Sequence, residues 1–361
     1  MKIGKFLLLG ASVIPALSII SCNSKTNEKA LIEKLETENL NLKDISAEKT
    51  KVEKVNEDLN KQIKSKDSTL AYFSGFLKTE NPLLTNAATI SKVNKIIAAR
   101  NTFNQASDKS VNELVSFISD KFLNDPYVAD RLIGNNENKE VLVADFTGLD
   151  CFTYLDYVNA LLYATDYSSF LDALVSTRYN NSEVTYANRK HFFTDWEHGN
   201  PIVKNLVTEQ VLGTENADKI ITIDFVKNGK PNKENPAQRD SVLVGVEQEN
   251  RTVKYLDVKA VSDEFLAKYF KDGDLIMLAA PANLNSWLDV THCGYLIFKE
   301  ENGVKKAYYR NASSAKVNMK VVDTPLVEYL TDRNFDTKNN KPYDVPKVPG
   351  ILLYRTLERN N

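Results

Sequence analysis

Between Asn23 and Leu70 the chain contains no glycine, no proline and no aromatic residue, and it is dense in Lys, Glu and Asp. Such a stretch cannot bury enough apolar surface to make a core of its own, yet nothing in it breaks a helix. Set in heptads, its seam reads Leu31, Leu35, Leu42, Ile45, Val52, Leu59, Ile63 and Leu70, interrupted by Glu38, Lys49, Asn56 and Lys66. The pattern predicts a helical stalk over 22–70. A coiled coil, with a homo-oligomer formed through the seam, is one outcome; a solvated single helix or a partly disordered tether is the other. The hydrophobic core must therefore come from the residues that follow.

The segment before the stalk is a targeting sequence and takes no part in the fold. Lys2 and Lys5 precede a mostly apolar run from Phe6 to Ile20, which Pro15 interrupts. The run is short for a comfortable membrane span. It ends in Ile19-Ile20-Ser21-Cys22, which resembles a bacterial lipobox. The resemblance implies a lipoprotein signal peptide over 1–21 and lipidation of Cys22. The protein would then sit in the cell envelope, lipid-anchored to a bacterial membrane and facing the periplasm or the surface. An ordinary signal peptide with an incidental cysteine is the alternative.

With 46 basic and 48 acidic side chains the net charge is -2, which gives no electrostatic case for nucleic acid as a partner. Residues 71–107 read as a helical linker region without chemistry. From about 108 to 361 the pattern is that of a compact domain. Val111, Leu114, Val115, Ile118 and Phe122 recur at helical spacing. A second amphipathic helix starts at Cys151, and a third covers about Ser168 to Ser176. Past 215, strands are expected at Ile220–Val226, Ser241–Val246, Leu275–Ala279, Cys293–Phe298 and Lys306–Arg310. Helices first and strands later predict an α+β fold, with N-terminal helices packed on an antiparallel sheet.

Three cysteines and three histidines leave few candidates for chemistry. Asp150 suits an N-cap, which places Cys151 at the first position of a helix. Free N–H groups and the helix dipole there favour a thiolate, and the same groups can stabilise an oxyanion. The spacing suits a small buried core cysteine equally well. His292 enters a strand, and a hairpin turned at Asn302-Gly303 would bring Asn311 to the same end. Cys151, His292 and Asn311 would then be nucleophile, base and orienter. An exported compartment permits a disulfide between Cys151 and Cys293. Neighbours on a strand point to opposite faces, however, so Cys293 is expected to face away from a Cys151–His292 site. His191 and His198 lack the spaced carboxylate or thiol partners of a metal site, and neither metal nor cofactor is expected.

Several blocks, in order, are similar to one family. They are Phe122 to Ala129 (FLNDPYVA), the stretch from Leu142 to Glu183 around Asp150-Cys151-Phe152-Thr153, and Tyr186 to Trp196 (YANRKHFFTDW). Asp272 to Ile276 and Thr291-His292-Cys293-Gly294 follow. From about 108 to 357 the chain resembles the N-acetylmuramoyl-L-alanine amidase-like family, in the NlpC-type branch of papain-like cysteine hydrolases. The resemblance implies a papain-like fold with Cys151 as nucleophile and His292 as base. The family pattern commonly has His-Ala-Ser-Ser where this chain has Asn311-Ala312-Ser313-Ser314, so Asn311 departs from it in the orienting role. It also implies a muropeptide groove. Arg189 would meet a carboxylate and Trp196 a sugar face, with Tyr186, His191 and Asp195 beside them and Tyr127 and Asp150 next to the nucleophile. The other reading of that block is a loop and helix held by their own polar contacts. The implied activity is a peptidoglycan hydrolase cutting an amide in or next to the stem peptide. The lactyl–L-Ala amide is suggested by the family, and cleavage after D-Glu is the endopeptidase alternative. A non-catalytic, wall-binding envelope lipoprotein is the rival from another class.

Overall fold

The computed structural model describes residues 32–40, 43, 45–47, 49–55, 57, 82–198, 201–235, 237–281 and 287–358. The signal segment and Cys22 lie outside them, as do the seam residues Leu31, Leu42, Asn56, Leu59, Ile63, Lys66 and Leu70. The chain divides into two compact units, 1–71 and 72–361. In the first, the described residues are helical, and Ile32, Leu35, Ile45 and Val52 are exposed. Among the described residues, no helix is long and apolar enough to cross a membrane.

The first described helix of the second unit is α1 (Ala87–Gln105), capped by the Asn86 side chain. This helix corrects the reading of 71–107 as a linker. Val93, Ile96 and Ile97 are buried in the same apolar core as the later helices, and the Arg100 guanidinium donates to the carbonyls of Leu161 and Leu162. The folded unit therefore begins ahead of 108. The buried side of α1 includes Thr89 and Arg100, so it is not a purely apolar stripe. Next come α2 (Val111–Asp120), α3 (Cys151–Tyr163) and α4 (Tyr167–Arg178). Each starts on a reciprocal capping box: Ser110 with Glu113, Asp150 with Thr153, and Asp166 with Ser169. Every residue of α3 from Thr153 to Leu162 is buried, which makes it the central helix.

The sheet has eight antiparallel strands. In chain order they are β1 (Val203–Asn205), β2 (Ile220–Lys227), β3 (Glu249–Asp257), β4 (Leu275–Ala279), β5 (Val290–Glu301), β6 (Val304–Ser313), β7 (Lys320–Pro325) and β8 (Gly350–Thr356). Across the sheet the order is β7-β6-β5-β4-β8-β3-β2, with β1 paired to β8. Alternation sorts the side chains into two layers. Leu275, Met277, Cys293 and Tyr295 join the core under α1 to α4. Ile276, Leu278, Leu296 and Tyr309 face the opposite layer, with α5 (Asp263–Tyr269) and α6 (Leu326–Arg333) over them.

The expected strand at Ser241–Val246 is not one. Only Arg239–Ser241 pairs, with Gly229–Pro231, and 242–246 is a turn. Asn228 holds it: its amide nitrogen donates to Leu243 O and Val246 O, and its oxygen accepts from Val242 N and Leu243 N. An apolar run whose backbone groups are taken by one asparagine has none left for a ladder. The strands β1, β3, β7 and β8 lie outside the expected set.

Candidate active site

Cys151 owes its position to its neighbours. The Asp150 carboxylate accepts from Thr153 N at 2.7 Å, and Thr153 Oγ1 accepts from Asp150 N at 3.0 Å, so the helix begins at Cys151. The segment after α2 pairs with the residue two before it: Val128 N donates to Leu149 O and Leu149 N to Pro126 O, both at 2.9 Å. Gly148 permits that approach, since a Cβ there would stand 2.5 Å from a Val128 methyl. The pairing brings Tyr127 beside Cys151. Its phenol is hydrogen-bonded to Ser314, and burial with the charges of Cys151 and Asp150 pushes its pKa up. Cys151 is half-buried.

His292 comes from the opposite wall. Leu278 pairs with His292 but Ala279 pairs with Val290, so Thr291 is an extra residue in β5. A bulge of this kind bends the strand and re-aims the adjacent side chain. The β5–β6 hairpin turns at Asn302 and Gly303, both with positive φ (53° and 78°). Its register carries Asn311 next to His292. Asn311 Nδ2 donates to Tyr309 O at 3.1 Å, which turns the amide oxygen toward the imidazole. His292 Nε2–H then donates to Asn311 Oδ1 at 3.0 Å. With Nε2 so engaged, Nδ1 is the ring nitrogen left for the Cys151 thiol, to which His292 is hydrogen-bonded. Gly294 lets β6 lie close enough, because a Cβ there would meet Arg310 O at 2.4 Å and Asn311 Cβ at 2.9 Å. Tyr309 buttresses the ring edge-on, centroids 5.9 Å apart.

The electrostatics follow from this arrangement. A hydrogen bond from the Cys293 thiol, then the hydrogen bond and charge of His292, hold Cys151 well below the usual thiol range against the opposing effect of burial. Burial pulls His292 down, but the hydrogen bond and charge of Cys151, with the Asn311 contact, outweigh it and leave the pKa raised. The pair favours thiolate and imidazolium.

Cys293 corrects an expectation. It does occupy the face opposite His292, but that is the face on which α3 packs, so it lies beneath Cys151 instead of away from it. Its Sγ donates to Cys151 O at 3.2 Å, and both cysteines are free thiols.

The Tyr186–Trp196 block packs on Phe152, the residue after Cys151, while its charged side chains pair with Glu140, Lys227 and Arg251. Trp196 is fully buried against Phe152 and Phe193 and has no face to offer a sugar. Its expected stacking role is withdrawn. Asp195 is bound by Arg251 at 2.7 Å and Lys227 at 3.2 Å. Arg189 is paired with the buried Glu140 at 3.1 Å and lies over the Tyr186 ring. His191 Nε2 contacts Tyr186 O at 2.7 Å. Burial, then Arg189, push its pKa down to about 4. His198 Nδ1 contacts Thr194 O at 2.8 Å. Arg189, Asp195, His198, Lys227 and Arg251 share the wall of a polar cavity of about 780 Å³, whose described lining includes neither Cys151 nor His292. Arg251, Lys227 and Glu140 had no sequence signal, since each is matched to its partner only by the fold. Among the described residues no three His, Cys, Asp or Glu side chains gather as a metal site.

A capped helix thus presents a cysteine to a histidine on an antiparallel sheet. The chain belongs to the N-acetylmuramoyl-L-alanine amidase-like family, whose model matches residues 117–337. Among solved structures it is similar to a protein of Legionella pneumophila, with 23% identity and a TM-score of 0.55 over 76% of this chain and 97% of that one. It is also similar to an N-acetylmuramoyl-L-alanine amidase from Bacteroides uniformis, with 22% identity and a TM-score of 0.50 over 69% of this chain and 99% of that one. At such identities the likeness is one of fold. No curated protein matches the chain.

Proposed function

We propose that this protein is a cysteine-dependent peptidoglycan amidase, anchored to a bacterial membrane through lipidated Cys22. The observation that carries the reading is the chain of contacts from Cys151 through His292 to Asn311, within a family named for amide hydrolysis in the wall. The Cys151 thiolate adds to the amide carbonyl of a muropeptide. Of the first N–H groups of α3, Thr153 N is taken by the Asp150 carboxylate, which leaves those of Cys151 and Phe152 to stabilise the oxyanion. Collapse of the adduct breaks the C–N bond, and imidazolium His292 gives its proton to the leaving amine. Neutral His292 then takes a proton from water, whose oxygen attacks the thioester and releases the acid and the Cys151 thiolate. Asn311 keeps Nδ1 pointed at the sulfur throughout.

Purified muropeptides, incubated with the full chain and analysed by mass spectrometry, test the reading. The expected products are a peptide with a free L-Ala amine and the lactyl acid of the sugar. Products ending at D-Glu would move the scissile bond into the stem peptide. Undigested muropeptide in the presence of folded protein would overturn the reading.

A further inference from the structure

The reaction above gives Cys293 no part, although it touches the nucleophile. Cys293 is fully buried in the layer between β5 and α3. Its Sγ–H donates to the carbonyl of Cys151, the first residue of α3, at 3.2 Å. That carbonyl already serves the first turn of the helix, so the thiol is a second donor on it. A purely apolar residue would fill the same space without donating. Burial, with the hydrogen bond to Cys151, pushes the Cys293 thiol well above its ordinary range, so it keeps its proton at any pH the site uses.

We propose that Cys293 is a positioning residue for the nucleophile: its buried thiol proton anchors the first residue of α3 through the Cys151 carbonyl, and it is shared with the Cys151 sulfur once that sulfur is a thiolate. The inference rests on Cys151 being the nucleophile. Other titratable groups facing Cys151 are His292 from β5, Asp150 ahead of α3, Tyr127 from the segment after α2, Tyr309 from β6 and Tyr329 from α6. His292 is the one cation among these, so the sulfur is stabilised by one charged donor, His292, and by neutral donors of Cys293, its thiol and its backbone N–H.

The test is the pH dependence of alkylation of Cys151 by iodoacetamide in the full chain under reductant, read at Cys151 by peptide mass spectrometry. The wild type is expected to react with an acid-shifted profile. Cys293→Ala should move the midpoint up by about one pH unit, the scale of one hydrogen bond to a charged group. Cys293→Ser, which keeps a donor, should move it by less than half as much. The melting temperature of each variant is measured alongside. If the Ala and wild-type profiles coincide, or if Ser shifts as far as Ala, the inference fails and the proposed function stands. If wild-type Cys151 itself titrates as an ordinary thiol, the proposed nucleophile fails and the inference goes with it. Should Cys293→Ala not fold, Cys293→Val and Cys293→Thr make the same comparison with one shape and one hydroxyl of difference. An acid-shifted Thr profile relative to Val supports the inference, and coincident profiles overturn it.

Discussion

His292 and His191 are both sheltered imidazoles, and their surroundings drive them in opposite directions. His292 meets a thiol that ionises when the ring protonates, so its pKa is raised. His191 meets Arg189 and a backbone carbonyl, and burial with that cation pushes it to about 4. Around Cys151 the ionisable groups depend on one another, and the Cys151 and Phe152 amides have no intrahelical acceptor. Around Trp196 each charge is already matched: Asp195 by Arg251, and Arg189 by Glu140. Burial alone therefore does not set the charge of an imidazole. A neighbour whose charge changes together with the ring's can outweigh it.

The largest effects should separate the two regions outright. Cys151→Ala is expected to lower hydrolysis of a defined muropeptide by about 10⁴-fold or more, with the unfolding midpoint in urea unchanged. Trp196→Ala should do the reverse. Emptying a fully buried indole site costs about 3–5 kcal/mol of stability, while the activity of the molecules that remain folded changes little. Denaturation and initial rates on the same preparations check both. A Trp196 variant with native stability and a raised KM would return that residue to the substrate groove and erase the contrast.

How much of this contrast can be read from sequence depends on how local its determinants are. The Asp150–Thr153 cap and the Asn302-Gly303 turn act over a few residues, and both placed their elements correctly. So did the pairing that set Asn311 beside His292, because a hairpin register follows from its turn. The side on which a helix layer lies is not local. Cys293 was rightly put on the face opposite His292, but that this face carries α3 depends on packing more than a hundred residues away in the chain. Trp196 failed for a similar reason: its groove role came from the resemblance alone, and nothing local shows that Phe152 and Phe193 close over the indole. The strands β3 and β8 were missed where the buried alternation includes Arg251, and where the final strand inserts at the centre of the sheet.

A smaller effect tests the orienting contact between Asn311 and His292. Asn311→Ala should lower kcat by about ten- to a hundredfold with little change in KM, since one orienting hydrogen bond is lost and the base remains. Asn311→His should keep substantial activity, because a neutral ring nitrogen can accept from Nε2–H in place of the amide oxygen. Steady-state kinetics on one muropeptide decide it. If Asn311→Ala matches the wild type, Tyr309 and the bulge at Thr291 hold the ring without help.

The smallest expected effect belongs to the other histidine. The folded pKa of His191, about 4, lies below the ordinary value of 6.5, so the unfolded chain binds a proton there that the folded chain refuses. Stability from this group is complete above the unfolded pKa and declines as pH falls from 6.5 toward 4, where the folded ring at last accepts the proton. His292 has the opposite sign: its raised pKa favours the folded state at low pH and ceases to do so as pH rises through the folded value. Replacing His191 by Gln should therefore flatten the acid limb of the urea midpoint against pH, with no change in the pH profile of kcat/KM. Replacing His292 by Gln should leave that acid limb in place and remove the activity. An acid limb that persists unchanged in His191→Gln would mean that the ring titrates normally, and that neither its burial nor Arg189 disfavours the protonated form.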